Sequence, residues 1–142
     1  MKKNYLRNCW IALLIAPLGT MGQVTFEKIY PSLTHESGKD VLQTSDGGFI
    51  IAASIEVNSG TDLNVMIVRT DVNGDTLYKK IYGGALSDYP NGILKTNDGN
   101  YFIVGFTQSS GSGDADCYLL KINPMGDSLN SWAYGGYGNE EG

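Results

Sequence analysis

Few residues of this chain could serve as nucleophiles, bases or metal ligands. The 142 residues include one histidine, His35, and two cysteines, Cys9 and Cys117. A histidine-centred catalytic triad or a multi-histidine metal site cannot be assembled from this set. We therefore expect no catalysis, no metal and no cofactor. His35 is predicted to be a solvated loop residue, and Cys117 a buried thiol in a strand.

Three aspartates occupy positions with more scope for chemistry. Asp62 and Asp114 lie 52 residues apart, each in a loop before a candidate strand, and Asp116 is close by. Carboxylates held at one level around a ring of repeats could bind a cation or a sugar hydroxyl. An aspartate at such a position more commonly caps its own loop by accepting backbone N–H bonds. The sequence leaves both roles open.

One segment, 71–75, imitates the start of a calcium-binding loop. Such a loop has oxygen ligands at positions 1, 3 and 5, glycine at position 6 and a carboxylate at position 12. Here Thr76 stands at position 6 and Tyr82 at position 12. We therefore predict a hairpin turn and no calcium.

Tyrosines are the remaining candidates for contact with a ligand, because an aromatic ring can stack on a sugar. Tyr30, Tyr82 and Tyr134 recur at one interval, which favours packing between repeats. Tyr89 and Tyr137 do not belong to that series. We take these two as the better candidates for exposed contact.

The elements that must position these residues repeat every 52 residues without a gap. Segments that return at this interval are 28–30, 44–48 and 74–77. The matches fall on turn residues and on apolar runs, where a shared fold demands them. The chain therefore contains two copies of one structural unit.

Each copy is predicted to form four short antiparallel strands and no helix. The predicted strands are 40–44, 49–55, 64–70 and 77–82, then 92–96, 100–107, 116–122 and 129–134. Apolar pairs such as Ile50-Ile51 and Ile67-Val68 put apolar side chains on both sides of the sheet, so both faces must be covered. Four strands, two covered faces and this period predict a β-propeller blade. A two-sheet sandwich made by tandem duplication is the alternative.

The N-terminus has the pattern of a secretory signal peptide at residues 1–22. Lys2, Lys3 and Arg7 precede an apolar run at 10–18, and the small residue Gly22 ends the segment. The run is too short to span a bilayer. Cleavage would leave a single cysteine and therefore no intramolecular disulfide. No second apolar run long enough for a transmembrane segment follows.

The domain plan places a partial β-propeller at residues 23–142. Its predicted parts are an orphan outer strand at 24–30, blade 1 at about 40–82, blade 2 at about 92–134 and a lead-in to a third repeat at 135–142. Two blades do not close a ring of the usual four to eight. We therefore expect an N-terminal fragment of a longer protein, or alternatively a short chain that completes its ring by oligomerising.

The repeat pattern resembles that of large secreted bacterial surface proteins with tandem propeller-type repeats, many of them exported by type IX secretion. The residues that carry the resemblance are Tyr78, Tyr82-Gly83-Gly84, Thr44 to Ile50, Asp62, Asp114, Leu119-Leu120-Lys121 and Gly126-Asp127. The chain departs from the pattern at Pro31-Ser32 and at Asn130. The resemblance implies export, a propeller scaffold and a role in adhesion or binding.

We expect a non-catalytic scaffold, secreted or on the cell surface, that binds a protein or a glycan and packs against further repeats of the same protein. A net charge of −5 argues against a nucleic-acid partner. The alternative is the accessory propeller portion of an exported carbohydrate-active enzyme or peptidase, with its catalytic domain beyond residue 142.

Overall fold

The computed structural model describes residues 27–30, 34–57, 62–112 and 114–136. They form two four-stranded antiparallel sheets, each with its strands in chain order. Sheet 1 consists of β1 (Glu36–Gln43), β2 (Phe49–Val57), β3 (Asp62–Thr70) and β4 (Thr76–Tyr82), and sheet 2 of β5 (Asp88–Lys95), β6 (Tyr101–Thr107), β7 (Asp116–Ile122) and β8 (Ser128–Tyr134). The all-β prediction is confirmed, and the described residues contain no helix.

The first hairpin turn has the same structure in both sheets. The Gly47 amide donates to the Thr44 carbonyl at 3.0 Å, and the Gly99 amide donates to the Thr96 carbonyl at 3.1 Å. Gly47 has φ +84° and Gly99 has φ +81°, a conformation that side chains with a Cβ rarely adopt. Glycine is therefore the favoured residue at this position in each repeat.

The third hairpin turn contains the segment that imitates a calcium loop. The Asp71 side chain accepts hydrogen bonds from the amides of Asn73 and Asp75, both at 2.8 Å. In sheet 2, Asn123 accepts in the same way from Met125 and Asp127. A neutral amide replaces the carboxylate without loss of the turn, so this oxygen fixes the backbone in both copies.

The first strand of each sheet begins earlier than the sequence predicts. β1 contains a bulge between Gly38 and Asp40, and β5 contains one between Pro90 and Gly92. Glycine and proline are disfavoured in strands, which hid these residues from a propensity argument. Both strands lie at a sheet edge, where proline and bulges are tolerated.

The two sheets stack on each other, and we name their faces by this contact. The back face of sheet 1 carries Ile50, Ala52, Val65 and Ile67. A single buried cluster joins these residues to Ile93, Tyr101, Ile103, Tyr118, Leu120 and Ile122, which lie on the front face of sheet 2. Complete burial of an isoleucine such as Ile103 contributes about 1.5–3 kcal/mol, so this interface holds the two sheets together.

The front face of sheet 1 is buried as well. Ala53, Ile55, Met66 and Val68 form a second cluster, with Tyr30 packed against it. Sheet 1 thus has two buried faces, as its continuous apolar runs predict. The predicted outer strand at 24–30 is described only from residue 27, and residues 27–30 have no strand conformation.

The back face of sheet 2 is more open. Along β6 and β7 fully buried residues alternate with half-buried ones. The half-buried positions include Phe102, Val104 and Leu119, the 52-residue counterparts of Ile50, Ala52 and Ile67. The same positions are therefore closed in sheet 1 and partly open in sheet 2.

Candidate binding site

The three aspartates singled out in the sequence lie in different surroundings. Asp62 begins β3 opposite Val57 and is half-buried. Asp114 is exposed in the loop between β6 and β7. Asp116 begins β7 and is only 1% exposed. Asp62 and Asp114 are 52 residues apart, yet one is half-buried in a strand and the other is exposed in a loop.

Asp116 caps the loop that precedes it. Its Oδ2 accepts a hydrogen bond from the Ser112 amide at 2.5 Å. A Cβ on Gly111 would lie 1.6 Å from the same oxygen, so the loop passes directly over the carboxylate. Oδ1 of Asp116 has no hydrogen-bond partner among the described residues. The Asp116 carboxylate therefore binds the backbone of its own loop.

Tyr89 and Asp116 do not share a site. The Tyr89 ring stacks on Phe106 with 4.5 Å between centroids and 27° between planes. In the strand ladder Tyr89 lies opposite Phe106, whereas Asp116 lies opposite Thr107. Neighbouring residues of a strand point to opposite faces, so the two side chains are on opposite sides of sheet 2. Tyr137 lies outside the described residues.

A buried aspartate that the sequence analysis did not single out lies at the start of β5. Asp88 is 1% exposed and accepts hydrogen bonds from the Gly84 amide at 2.7 Å, from Ser109 Oγ at 2.8 Å and from Thr107 Oγ1. These bonds tie the connection between the sheets to the β6–β7 loop. Its repeat counterpart is Glu36, so both copies have an acidic residue at this position without being identical.

A groove of about 500 Å³ lies between the two sheets, at the end where the first and third hairpin turns lie. We call it the seam groove. Sheet 1 and its turns contribute Thr44, Ser45, Asp46, Arg69, Leu77 and Tyr78, and sheet 2 and its turns contribute Lys95, Gly99, Tyr101, Pro124 and Met125. Because each sheet supplies one wall, only stacking creates this cavity.

An ion pair fixes the polar wall of the seam groove. Arg69 Nη2 lies 2.5 Å from Asp46 Oδ2, and Arg69 also donates to the backbone carbonyls of Phe49 and Thr70. The Thr44 hydroxyl donates to Asp46 Oδ1 at 2.6 Å. This hydrogen bond, followed by the Gly48 amide and the charge of Arg69, lowers the pKa of Asp46 to about 2. The carboxylate is ionised and held in place.

Sheet 2 contains the same arrangement 52 residues later. Lys121 Nζ lies 2.7 Å from Asp98 Oδ2, and the Thr96 hydroxyl donates to Asp98 Oδ1. The Lys121 ammonium and the Thr96 hydroxyl hold the pKa of Asp98 well below its usual range. A threonine, an aspartate and a cation therefore lock this turn in both repeats. The sequence revealed the turn, but the cationic partner, on a strand 23 residues away, required the structure.

The other walls of the seam groove are aromatic and aliphatic. The Tyr78 hydroxyl donates to the Pro124 carbonyl at 3.2 Å, and burial raises the pKa of this phenol. Tyr101 is 4% exposed at the base, and Met125 is 73% exposed at the rim. Lys95 is exposed and has no ion pair among the described residues.

The seam groove is equipped for binding. Among the described residues that line it, Asp46 is the one carboxylate, and a pKa of about 2 makes it a poor general base at neutral pH. His35 is exposed beside Glu56, and Cys117 is half-buried in β7; neither lines the groove. Within the described ranges, no three His, Cys, Asp or Glu side chains come together as a metal-binding group.

Comparisons with known proteins do not assign the chain to a family. No protein-family model matches it, and no curated protein is significantly similar to it. In the part of the chain that the structure describes, no helix has the length and apolarity needed to cross a membrane.

Proposed function

We propose that this chain is a secreted or cell-surface scaffold without catalytic activity, that its two sheets are successive blades of a β-propeller, and that it binds a protein or glycan partner. One observation carries the proposal: the contacts between one repeat and the next occur twice, 52 residues apart. A repeated head-to-tail contact is the basis of blade-on-blade packing.

The repeated contacts join an outer segment to the third hairpin turn of the following unit. Lys28 Nζ lies 2.6 Å from Asp75 Oδ1, and Lys80 Nζ lies 2.7 Å from Asp127 Oδ1. The Tyr30 and Tyr82 hydroxyls donate to the carbonyls of Gly74 and Gly126 respectively. Residues 28–30 therefore contact sheet 1 as β4 contacts sheet 2. In a two-sheet sandwich the sheets pair once, so the same contact does not recur from one unit to the next. The recurrence of this contact therefore favours a propeller.

The open back face of sheet 2 is the next surface in the series. Tyr134 is the counterpart of Tyr82, is 56% exposed and has no hydrogen-bond partner among the described residues. Trp132 lies beside Phe102 with 6.1 Å between ring centroids. We infer that this face receives the front face of a further sheet of the same repeat, as the back face of sheet 1 receives sheet 2.

A chain extended by one repeat tests the stacking. Residues 85–136 are appended again after Gly136, which continues the 52-residue register. Urea denaturation should show a higher midpoint for the extended chain. Val104→Asp, made in both the original and the extended chain, is the matched control, because it places a charge on the proposed contact face. With Val104→Asp in both chains, the extended chain should have no higher urea midpoint than the original chain. Equal midpoints for the unsubstituted original and extended chains would overturn the stacking.

Export requires a separate test, because residues 1–22 lie outside the described residues. The chain is expressed in a Gram-negative host with a C-terminal tag, followed by cell fractionation and intact mass measurement. We expect a product beginning at Gln23 outside the cytoplasm. An uncleaved product retained in the cytoplasm contradicts the proposed secreted role.

A further inference from the structure

The lining of the seam groove includes one positively charged side chain, Lys95, without an ion pair among the described residues. Arg69 and Asp46 neutralise each other at 2.5 Å, whereas Lys95 lines the groove without an ion pair in the described part of the chain. The repeat counterpart of Lys95 is Gln43. Gln43 is the last residue of β1, as Lys95 is the last residue of β5. The turn therefore forms without a lysine at this position. The ammonium group of Lys95 is available to an anionic ligand.

The hydrogen-bonding capacity of the groove suits a ligand rich in hydroxyl groups. The Asp46 side chain remains 62% exposed despite its ion pair, so its oxygens can still accept from a ligand. The Ser45 hydroxyl is exposed in the same turn. Carboxylates and hydroxyls on a rigid turn are common partners of sugar hydroxyls, because they can accept and donate at fixed positions.

The seam groove also offers apolar contact, from side chains of both sheets. Leu77 is 58% exposed, Met125 is 73% exposed, and Tyr78 is half-buried with its hydroxyl held by Pro124. A ring of fixed orientation beside aliphatic groups can pack against the C–H face of a sugar. A volume of about 500 Å³ is in the range of small-ligand pockets.

We propose that the seam groove binds an acidic saccharide, with a uronate carboxylate at Lys95, sugar hydroxyls at Asp46 and Ser45, and the sugar ring against Tyr78 and Met125. This inference rests on the proposed binding role and names the ligand class. A uronate combines a carboxylate, hydroxyls and an apolar ring face in one unit. An acidic peptide supplies the carboxylate without the hydroxyls, which makes it the competing class in the test.

The net negative charge of the chain makes binding of an acidic sugar a specific test of the seam groove. The chain has a net charge of −5, so it has no general attraction for polyanions at long range. Binding of an acidic sugar must therefore depend on local contacts. Substitution of the lysine in the groove should weaken the affinity, and substitution of a lysine elsewhere should leave the affinity unchanged.

The experiment is titration of the full chain, freed of residues 1–22 if they are cleaved on export, with trigalacturonate. Calorimetry measures affinity, and amide chemical shifts locate the site. We expect saturable binding with shifts in residues 44–46 and around Lys95. Lys95→Gln, which copies Gln43, should weaken binding about tenfold through loss of a charge-assisted hydrogen bond. Met125→Ala should weaken it about threefold.

Lys39→Gln is the matched control, because Lys39 is an exposed lysine of β1 that does not line the groove. Its affinity should stay within about twofold of the unsubstituted chain. Maltotriose and a glutamate-rich peptide complete the comparison, and both should bind more weakly than trigalacturonate. The proposal is wrong if folded protein does not bind trigalacturonate, if Lys95→Gln binds it equally well, or if either competitor binds more tightly. These outcomes leave the export and stacking tests unaffected, so the two proposals fail separately.

Discussion

The hydroxyl of Tyr82 in sheet 1 donates a hydrogen bond to the backbone carbonyl of Gly126 in sheet 2. The same bond runs from Tyr30 to Gly74 at 3.0 Å. In both cases the acceptor belongs to a glycine with positive φ in the third hairpin turn. A phenol on one unit is thus matched to a turn of the next, and this pairing sets how the units stack.

Removal of this hydroxyl should loosen the contact between the sheets. Tyr82→Phe keeps the ring in the buried cluster but leaves the Gly126 carbonyl without its donor, and should lower the free energy of unfolding by about 1 kcal/mol. Tyr134→Phe is the control: its hydroxyl is exposed, so we expect a change within about 0.5 kcal/mol. Urea denaturation followed by circular dichroism measures both. Equal changes in the free energy of unfolding for the two variants would show that the hydrogen bond from Tyr82 to Gly126 does not stabilise the protein.

The buried carboxylate of Asp88 should be essential to the fold, unlike the exposed one of Asp114. Asp88→Ala leaves the Gly84 amide and the Thr107 hydroxyl without their acceptor, whereas the Ser109 hydroxyl keeps the Leu86 carbonyl at 2.9 Å. The expected cost is about 2 kcal/mol. Asp114→Ala should change stability by less than about 0.5 kcal/mol. Thermal unfolding of the two variants checks the difference, and a tolerated Asp88→Ala would contradict the network.

Gly105 should not tolerate alanine, although alanine occupies its counterpart, Ala53, in sheet 1. A Cβ at Gly105 would lie 1.8 Å from the Tyr89 carbonyl oxygen, so β5 and β6 must separate. We expect Gly105→Ala to destabilise the protein by about 2 kcal/mol or more. Gly99→Ala, with no atom within 4 Å but a positive φ, should cost about 1 kcal/mol. Guanidinium denaturation that ranks Gly99→Ala as the more harmful would refute this prediction.

Acid should weaken the locked turns. The pKa of Asp46 is about 2 in the folded chain, and those of Asp98 and Asp127 are also lowered from 3.8. Because folding favours the ionised forms, their contribution is complete above about pH 4 and is lost as pH falls towards about 2. The urea midpoint should decline across this window, less steeply at high salt.

Asp46→Asn provides the control for the acid prediction. Asparagine keeps a side-chain oxygen for the Thr44 hydroxyl but cannot change charge, so the decline in this variant should be shallower than in the unsubstituted chain. An unchanged slope for Asp46→Asn would contradict the assignment.

Local features of the sequence were enough to predict most of the strands and turns. Glycine in Thr44–Gly48 and Thr96–Asn100 marks the positive φ of a hairpin, and the continuous apolar runs of β2 and β3 require cover on both faces. These signals depend on residues next to one another in the chain. The first strands were predicted too short because Gly38 and Pro90 are poor strand formers, and their conformation is imposed by the ladder with the neighbouring strand.

The amino-acid sequence by itself determined the 52-residue repeat, the all-β class and the hairpin turns, because short-range periodicity and turn chemistry decide them. Only the tertiary structure decided that Asp116 and Tyr89 lie on opposite sides of sheet 2, that Asp88 is buried with three donors, and that Lys95 and Asp46 line one groove. Such proximity depends on how the sheets stack and how loops return, and residues far apart in the chain carry no local signal of either.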